Sequence, residues 1–415
     1  MRACVAATLI ALGSVSVGWG SSESDRLHYL AVNGDGVLSS ARAEEPVNPA
    51  SVVKVATTLW ALDRLGADHR YTTTVGYVGE WNRSTGALVG DLVIGGGDDP
   101  DFQWENAFLV ARELNRLGLV RVEGRVRIQS RFWLGWEHGV EKRATDPRRL
   151  AEKMGRRLIA ALDSHRWTRS HRNTWNAMCE RRGWDAARRP RVVVTGEASI
   201  SPSADSAPLL IHRSNPLAVI MRRFDVYSNN DIVRVADGLG TVAELQTFIN
   251  QRLEIETDGI ELETPSGERR NRMTVEQMVA LLTELEVEAV SQDLELGQLL
   301  PRIGCDPGST RRMFPALAGP DLAGSVTCKT GTLTHTDGGV VVLAGTFTSP
   351  TKGPVVFAIA APEARGRIDD WRRVQQRWVL DLMDRLGGAV RWPCGPSLPF
   401  SDADAEIEAI AGAGE

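Results

Sequence analysis

Lysine is scarce in this chain: Lys54, Lys142, Lys153, Lys329 and Lys352 stand against 43 arginines. Cysteine is scarce as well, at Cys4, Cys179, Cys305, Cys328 and Cys394, and no two are spaced C-x-x-C. No histidine pair lies at zinc-site separation either, so neither a metal nor a cofactor is expected. The glycine run "GGGDDP" is not followed by Gly-Lys-Ser/Thr, which excludes a phosphate loop. None of the seven histidines, His335 among them, sits in a recognisable Ser/His/Asp setting. A net charge of -5 gives no general affinity for polyanions, so no nucleic-acid partner is expected. Beyond the N-terminus no apolar run reaches membrane-spanning length.

The N-terminus is different in kind. Met1 and Arg2 precede an apolar stretch from Ala3 to Val17, followed by Gly18, Gly20, Ser21 and Ser22. This pattern predicts a secretory signal peptide over residues 1–20, with a buried N-terminal helix as the alternative. Export predicts a periplasmic or other extracytoplasmic protein with no transmembrane segment after the signal is removed. Cys4 leaves with the signal, and the pairing of the remaining four cysteines stays open.

Hydropathy and turn residues divide the rest. Leu27 to Val37 reads as a hairpin around Asn33-Gly34-Asp35-Gly36. Residues 25–75 and 206–392 read as one domain, 76–205 as an insertion, and 393–415 as an acidic flexible tail. Within the insertion a helix is expected from Glu105 to Leu117, with strands at Val120 to Ile128 and Val192 to Val194. Between them, arginines such as Arg148, Arg157 and Arg182 alternate with Trp133, Trp136, Trp167, Trp175 and Trp184. Such a segment can bind an anionic glycan or single-stranded nucleic acid, or it can be solvated arginine around a small tryptophan core.

"NPASVVKVATTLWAL" carries the chemistry. Asn48 suits a helix N-cap and Pro49 the first helical position, so a helix is expected to start just before Ser51 and stop at Gly66. Lys54 lies three residues on, on the same face, among Val52, Val53, Val55 and Ala56. Burial disfavours the ammonium, and a neutral amine beside a hydroxyl activates it as a nucleophile. The alternative is a surface lysine that falls three residues from a serine by chance. Arginine cannot serve as a base, so a chain that prefers arginine yet keeps lysine here favours the catalytic reading. Lysine recurs in "CKTGTL", on an expected edge strand suited to a substrate carboxylate. "YSNN" supplies Ser228 and Asn230, alone no more than a turn or cap.

The order S-x-x-K, S-x-N, K-T-G is that of penicillin-binding proteins and serine β-lactamases. With "GDLVIGGGDDPDF", "RSNPLAVIMRRFDVYSNNDIVR", "LLPRIGCDPGSTRRMF" and "CKTGTLTHTDGGVVVLAGTF", the chain resembles the class C low-molecular-mass penicillin-binding proteins, the D-alanyl-D-alanine carboxypeptidase/endopeptidase family, over most of residues 27–385. The resemblance implies an α/β (α+β) fold, a penicillin-binding transpeptidase or serine β-lactamase-like domain with an inserted smaller domain. It implies action on peptidoglycan stem peptides and covalent inhibition by β-lactam antibiotics. Ser51 would be acylated, Lys54 would take its proton, and Ser228, Asn230 and Lys329 would pass a proton to the leaving amine. Lys329, Thr330, Gly331 and Thr332 would bind the substrate. The backbone N–H groups of Ser51 and Thr332 would hold the oxyanion, and Asp99 would either face an amine of the substrate or serve as a turn residue. Asn229 stands where the family usually has Asp. "ETPSGERRNRMT" replaces the family's Asp-Gly-Ser-Gly-Leu-Ser stretch, so a different wall is expected near Ser266 and Gly267. A β-lactamase or esterase on the same fold and a non-catalytic wall-binding relative are the other functional classes.

Overall fold

The computed structural model describes residues 26–129, 131–137, 139, 146–201, 205–255, 259–395 and 398–410. The expected signal peptide lies outside them. Among the described residues no helix is long and apolar enough to cross a membrane.

The chain opens with β1 (His28–Asn33), β2 (Gly36–Ala41) and, after a 3-10 turn at Ala50–Val52, helix α1 (Val53–Leu65). Next come β3 (Thr72–Asn82), β4 (Ala87–Gly95), α2 (Trp104–Arg116), β5 (Arg121–Val122), β6 (Val126–Ile128), α3 (Pro147–Leu162) and α4 (Arg169–Arg182). Short strands β7 (Val193–Val194) and β8 (Ala198–Ile200) lead to β9 (Ala207–Arg213), then α5 (Leu217–Val226), α6 (Val233–Leu239), α7 (Val242–Arg252) and α8 (Val275–Ser291). The last elements are α9 (Ser309–Met313), β10 (Thr327–Leu333), β11 (Val340–Ser349), β12 (Gly353–Pro362), α10 (Ile368–Arg385) and β13 (Glu406–Ala409). The chain forms two compact units, residues 26–66 with 221–398 and residues 67–220 with 399–410.

The first unit is built on a five-stranded antiparallel sheet in the order β10-β11-β12-β1-β2. The β1–β2 hairpin turns where expected: Asn33 pairs with Gly36, the Asn33 side chain accepts the Asp35 N–H at 3.0 Å, and Gly36 takes a φ of +127° that only glycine tolerates well. Helix α10 packs Trp371, Val374 and Trp378 into the apolar core, with Phe357 and Phe347 of the sheet among their partners. Gln375, buried in that layer, donates from Nε2 to Val341 O and Ile359 O, which satisfies its amide N–H groups on the apolar face. α1 is buried on every side from Val53 to Leu62, all but its last three residues, which makes it a central helix rather than an amphipathic one. β10 is the sheet edge, as the KTG strand was expected to be.

The second unit holds a mixed sheet, β13-β9-β3-β4-β5-β7, with β6 and β8 paired beside β4. Its core contains Trp133, Trp167 and Trp175 packed with Phe108 and Phe102. Several arginines pair with acids at the rim, among them Arg181 and Arg182 with Asp402, and Arg131 with Asp98. The tryptophan-core reading of this segment is the one its packing matches. The strand expected from Val120 to Ile128 is two short strands, because Gly124 approaches Gly90 so closely that a Cβ there would lie 2.2 Å from the Gly90 carbonyl.

Two stretches near the C-terminus differ from a flexible tail. Cys394 forms a disulfide with Cys305, while Cys179 and Cys328 are buried thiols. Glu406–Ala409 adds to β9 as an antiparallel strand, with Arg213 pairing Glu408. Acidic residues thus neutralise the cationic edge of the strand they join, which composition alone does not reveal. Replacing Cys394 by Ser opens a link across 89 residues, and its unfolding free energy in denaturant should fall by about 2–4 kcal/mol.

Candidate active site

The site is assembled on the first unit from three segments, the Ser51 turn with α1, the α5–α6 connection, and β10. Asn48 starts it: its Oδ1 accepts the Ala50 N–H at 3.0 Å, while its Nδ2 donates to Asp337 Oδ2 and to Arg269 O, both at 2.8 Å. Ala50 then takes a φ of +47° and leads into the 3-10 turn that carries Ser51. An alanine in the left-handed region costs energy, and the Asn48 bonds on either side hold it there. Ser51 is half-buried, at the mouth of a helix whose next residues are all shielded.

Lys54 is 0% exposed, which answers why its helix carries a cation at all. Its Nζ lies 2.6 Å from Ser266 O, 2.7 Å from Asn230 Oδ1 and 2.9 Å from Ser51 Oγ. Two of these neighbours, a carbonyl and an amide oxygen, can only accept. They claim the two N–H bonds of a neutral amine and leave its lone pair toward the Ser51 hydroxyl. Burial first, then the charge of Lys329, holds the Lys54 pKa well below the ordinary lysine range, with Asp225 and Glu268 opposing.

Ser228 sits in the left-handed region with φ +49°, at the corner where α5 hands over to a 3-10 turn at Asn230–Ile232. Asn229 explains its own identity: its Oδ1 accepts the Asp231 N–H at 2.8 Å and caps that turn. Asp does the same work at an N-cap, so the departure from the family pattern is physically neutral. Lys329, also 0% exposed, places Nζ 2.9 Å from Ser228 Oγ and 3.0 Å from Thr330 O. Burial lowers its pKa to about 8 against the pull of Asp225. Because Lys329 donates to Ser228 Oγ, the Ser228 hydroxyl proton is free to point elsewhere. The neighbouring Cys328 thiol is pushed up to about 12 by burial and is no rival nucleophile.

Ser51, Lys54, Ser228, Asn230 and Lys329, singled out from separate motifs, form two hydrogen-bonded groups, Ser51–Lys54–Asn230 and Ser228–Lys329, whose buried amines interact electrostatically, with Thr330, Gly331 and Thr332 on the same strand as Lys329. Gly331 is required there: a Cβ would lie 2.6 Å from Pro49 O, 3.0 Å from Ala50 Cβ and 3.3 Å from Ser51 N. Gly267 closes the other side with φ +81°, where a Cβ would meet Ala50 O at 1.8 Å. The divergent "SGERR" stretch is thus the wall behind Ser51, and its Ser266 carbonyl is one of the acceptors that orient Lys54. Asp99 belongs to the second unit, where it is buried and its Oδ1 accepts the Asp101 N–H at 3.0 Å.

Sequence reasoning missed four residues. Asp225 is buried beside the cluster and accepts from Thr58 Oγ1 at 2.7 Å. Arg372 of α10 donates to Thr332 Oγ1 at 3.2 Å. Arg272 donates to Asp337, the same residue that Asn48 holds, and so locks the wall to the β10–β11 turn. Only Asp225 carried a local signal, standing three residues before Ser228 on the buried face of an apolar helix.

A model of the D-Ala-D-Ala carboxypeptidase 3 (S13) family matches residues 29–144 and 190–376. Among solved structures, the predatory endopeptidase Bd0816 from Bdellovibrio bacteriovorus, in complex with an immunity protein, is similar with a TM-score of 0.74 at 20% identity, over 92% of this chain and 100% of that one. A related Bdellovibrio predatory endopeptidase, acylated by penicillin G, matches with a TM-score of 0.72 at 21% identity, over 92% and 100% of the two chains. Penicillin binding protein 4 of Haemophilus influenzae matches with a TM-score of 0.60 at 18% identity, over 86% and 96%.

The close approach at Gly331 makes a test of this geometry. Its backbone is an ordinary strand, so Gly331→Ala should fold, while the added methyl pushes β10 off the Ser51 turn by a fraction of an ångström. Turnover of a D-alanyl-D-alanine peptide should fall about 100-fold with little change in melting temperature.

Proposed function

The chain belongs to the D-Ala-D-Ala carboxypeptidase 3 (S13) family of serine peptidases, and we propose that it is an exported D-alanyl-D-alanine carboxypeptidase, with D,D-endopeptidase action on cross-linked stem peptides as a second activity of the same site. The observation that carries this reading is the Lys54 amine, fully buried and held 2.9 Å from Ser51 Oγ by two acceptors that cannot take its proton load. The endopeptidase activity is favoured by the length of chain shared with the two Bdellovibrio endopeptidases.

Ser51 Oγ attacks the carbonyl between two D-alanines while its proton passes to Lys54 Nζ. The oxygen that becomes negative is held by the backbone N–H groups of Ser51 and Thr332; loss of one such donor typically costs about a hundredfold. Gly331, by admitting the strand to within van der Waals reach of the Ser51 turn, lets those two groups converge. Ser228, next to the Lys329 ammonium, hands its proton to the leaving amine and is refilled with the proton that Lys54 took from Ser51, so Lys54 is neutral again before deacylation, with Asn230 keeping Lys54 in place. Lys329 and Thr330 bind the terminal carboxylate, and Thr332 is steadied by Arg372. Water then attacks the acyl group, with Lys54 accepting its proton in turn. Substrate in the cell wall implies an extracytoplasmic location, in keeping with the N-terminal pattern of residues 1–20.

Incubation of the purified chain with benzylpenicillin should add one penicilloyl mass to the wild type and none to Ser51→Ala, read by intact mass. Absence of an adduct with the antibiotic intact would sink the reading, and absence with the antibiotic hydrolysed would reassign the site to a β-lactamase. Release of D-alanine from a monomeric stem peptide, set beside cleavage of a cross-linked dimer, separates the two peptidase activities.

The pH dependence follows from the two lysines. Acylation needs Lys54 neutral and Lys329 protonated, so the rate should fall as pH rises through about 8, where Lys329 loses its proton. A rate that stays level from pH 7 to pH 10 would remove Lys329 from the protonated role.

A further inference from the structure

One buried acid beside this cluster has no part in the chemistry just described. Asp225 is on α5, 1% exposed. Its Oδ2 accepts the Thr58 hydroxyl at 2.7 Å, and among the described residues its Oδ1 has no hydrogen-bond partner. An unpartnered buried carboxylate oxygen costs on the order of 1–3 kcal/mol, and an asparagine could keep the Thr58 bond without the charge. Packing therefore does not account for an aspartate here.

The charges around it do. Its Thr58 partner lies one turn after Lys54 on α1, and Asp225 stands three residues before Ser228, whose Oγ holds the Lys329 amine at 2.9 Å, so the charged groups that act on it are Lys329 and Lys54. In return, Asp225 is the first group that favours the protonated form of Lys329, ahead of the Cys328 thiol, and it acts on Lys54 together with Glu268. Two ammonium groups in one dry site would repel each other, and a single cation there would still be unbalanced.

We propose that Asp225 is a positioning residue of the peptidase, the fixed counter-charge that keeps Lys329 cationic while Lys54 stands neutral beside Ser51. With Asp225 ionised, one proton shared out to Lys329 leaves the buried trio electrically neutral. With Asp225 absent, the same arrangement carries a net positive charge, and the site relieves it by releasing the Lys329 proton. A neutral Lys329 neither attracts the substrate carboxylate nor supports proton donation by Ser228. The chain thus tunes its catalytic lysines from a third helix, through a carboxylate that touches no substrate.

The inference rests on the peptidase reading, and one experiment tells their failures apart. The second-order rate constant for acylation by benzylpenicillin is measured from pH 5 to pH 10 for the wild type, Asp225→Asn and Asp225→Glu, with folding checked by circular dichroism. Removal of the charge lowers both lysine pKa values, so the whole bell for Asp225→Asn should move to lower pH by about one unit, with about a tenfold loss at pH 8.5. Asp225→Glu should keep the wild-type limits even where its rate is reduced. A profile for Asp225→Asn that overlays the wild type, or that is lowered equally at every pH, overturns the inference and leaves the peptidase reading intact. A wild type that is not acylated at any pH overturns both. Should Asp225→Asn fail to fold, the wild type with 13C at lysine Cε carries the test, since it has five lysines to assign. Its Lys329 signal should show a second inflection near pH 6, where Asp225 titrates, and a single inflection overturns the inference.

Discussion

The buried amine of Lys54 is the constraint around which the first unit is arranged. A lysine side chain taken wholly out of water loses the solvation of its charge; burial accordingly pulls the Lys54 pKa well below the ordinary lysine range, and two fixed acceptors, Asn230 Oδ1 and Ser266 O, hold its N–H groups. One acceptor comes from the α5–α6 connection and the other from the wall after Gly259. Each of these segments must be in place before the lone pair can face Ser51. The strain at Ala50 and at Ser228, two residues with φ near +48°, belongs to the same arrangement, because both hydroxyls are presented from turns that an unconstrained chain would avoid.

A second lysine in the same dry space raises the electrostatic stakes. Lys329 lowers the pKa of Lys54, which helps it act as a base, yet Lys329 itself must stay protonated to hold a carboxylate. Two amines with opposite proton requirements can coexist only if something distinguishes them. Lys54 is ringed by a carbonyl, an amide and a hydroxyl oxygen, whereas Lys329 faces Ser228 and the carbonyl of Thr330. Asp225 biases the pair further. The division of labour between base and cation is thus set by the neighbours of each lysine rather than by the lysines themselves.

The wall and the edge strand show how a divergent segment can serve a shared geometry. "SGERR" looks unlike the family stretch it replaces, but what reaches the site is a backbone carbonyl from Ser266 and the bare Cα of Gly267. Arg272, just beyond that segment, meets Asn48 of the Ser51 turn on Asp337 and ties the wall to the turn after β10. Backbone groups carry no side-chain signature, so a change of sequence there leaves the chemistry standing.

Much of the site was legible in the sequence because its parts are local. Ser51 and Lys54 are three residues apart, on a 3-10 turn and the helix that continues it, where the sequence expected one helix capped at Asn48, and the stop at Gly66 is written in residue types; Lys329 is one of only five lysines and sits on an edge strand; the hairpin at Asn33 to Gly36 follows from turn chemistry. What joins them spans long separations: Lys54 to Asn230 and Ser266, Lys329 to Ser228, Thr58 to Asp225, Arg372 to Thr332. The sequence likewise counted four mature cysteines without pairing Cys305 to Cys394, and read an acidic tail where a strand docks on β9. Helix propensity, capping and turn residues act within a few positions of the chain, and these the sequence by itself determined. Burial, the pKa of a lysine and the partner of a hydroxyl depend on groups that only the folded chain brings within hydrogen-bonding distance, and these the tertiary structure alone decided.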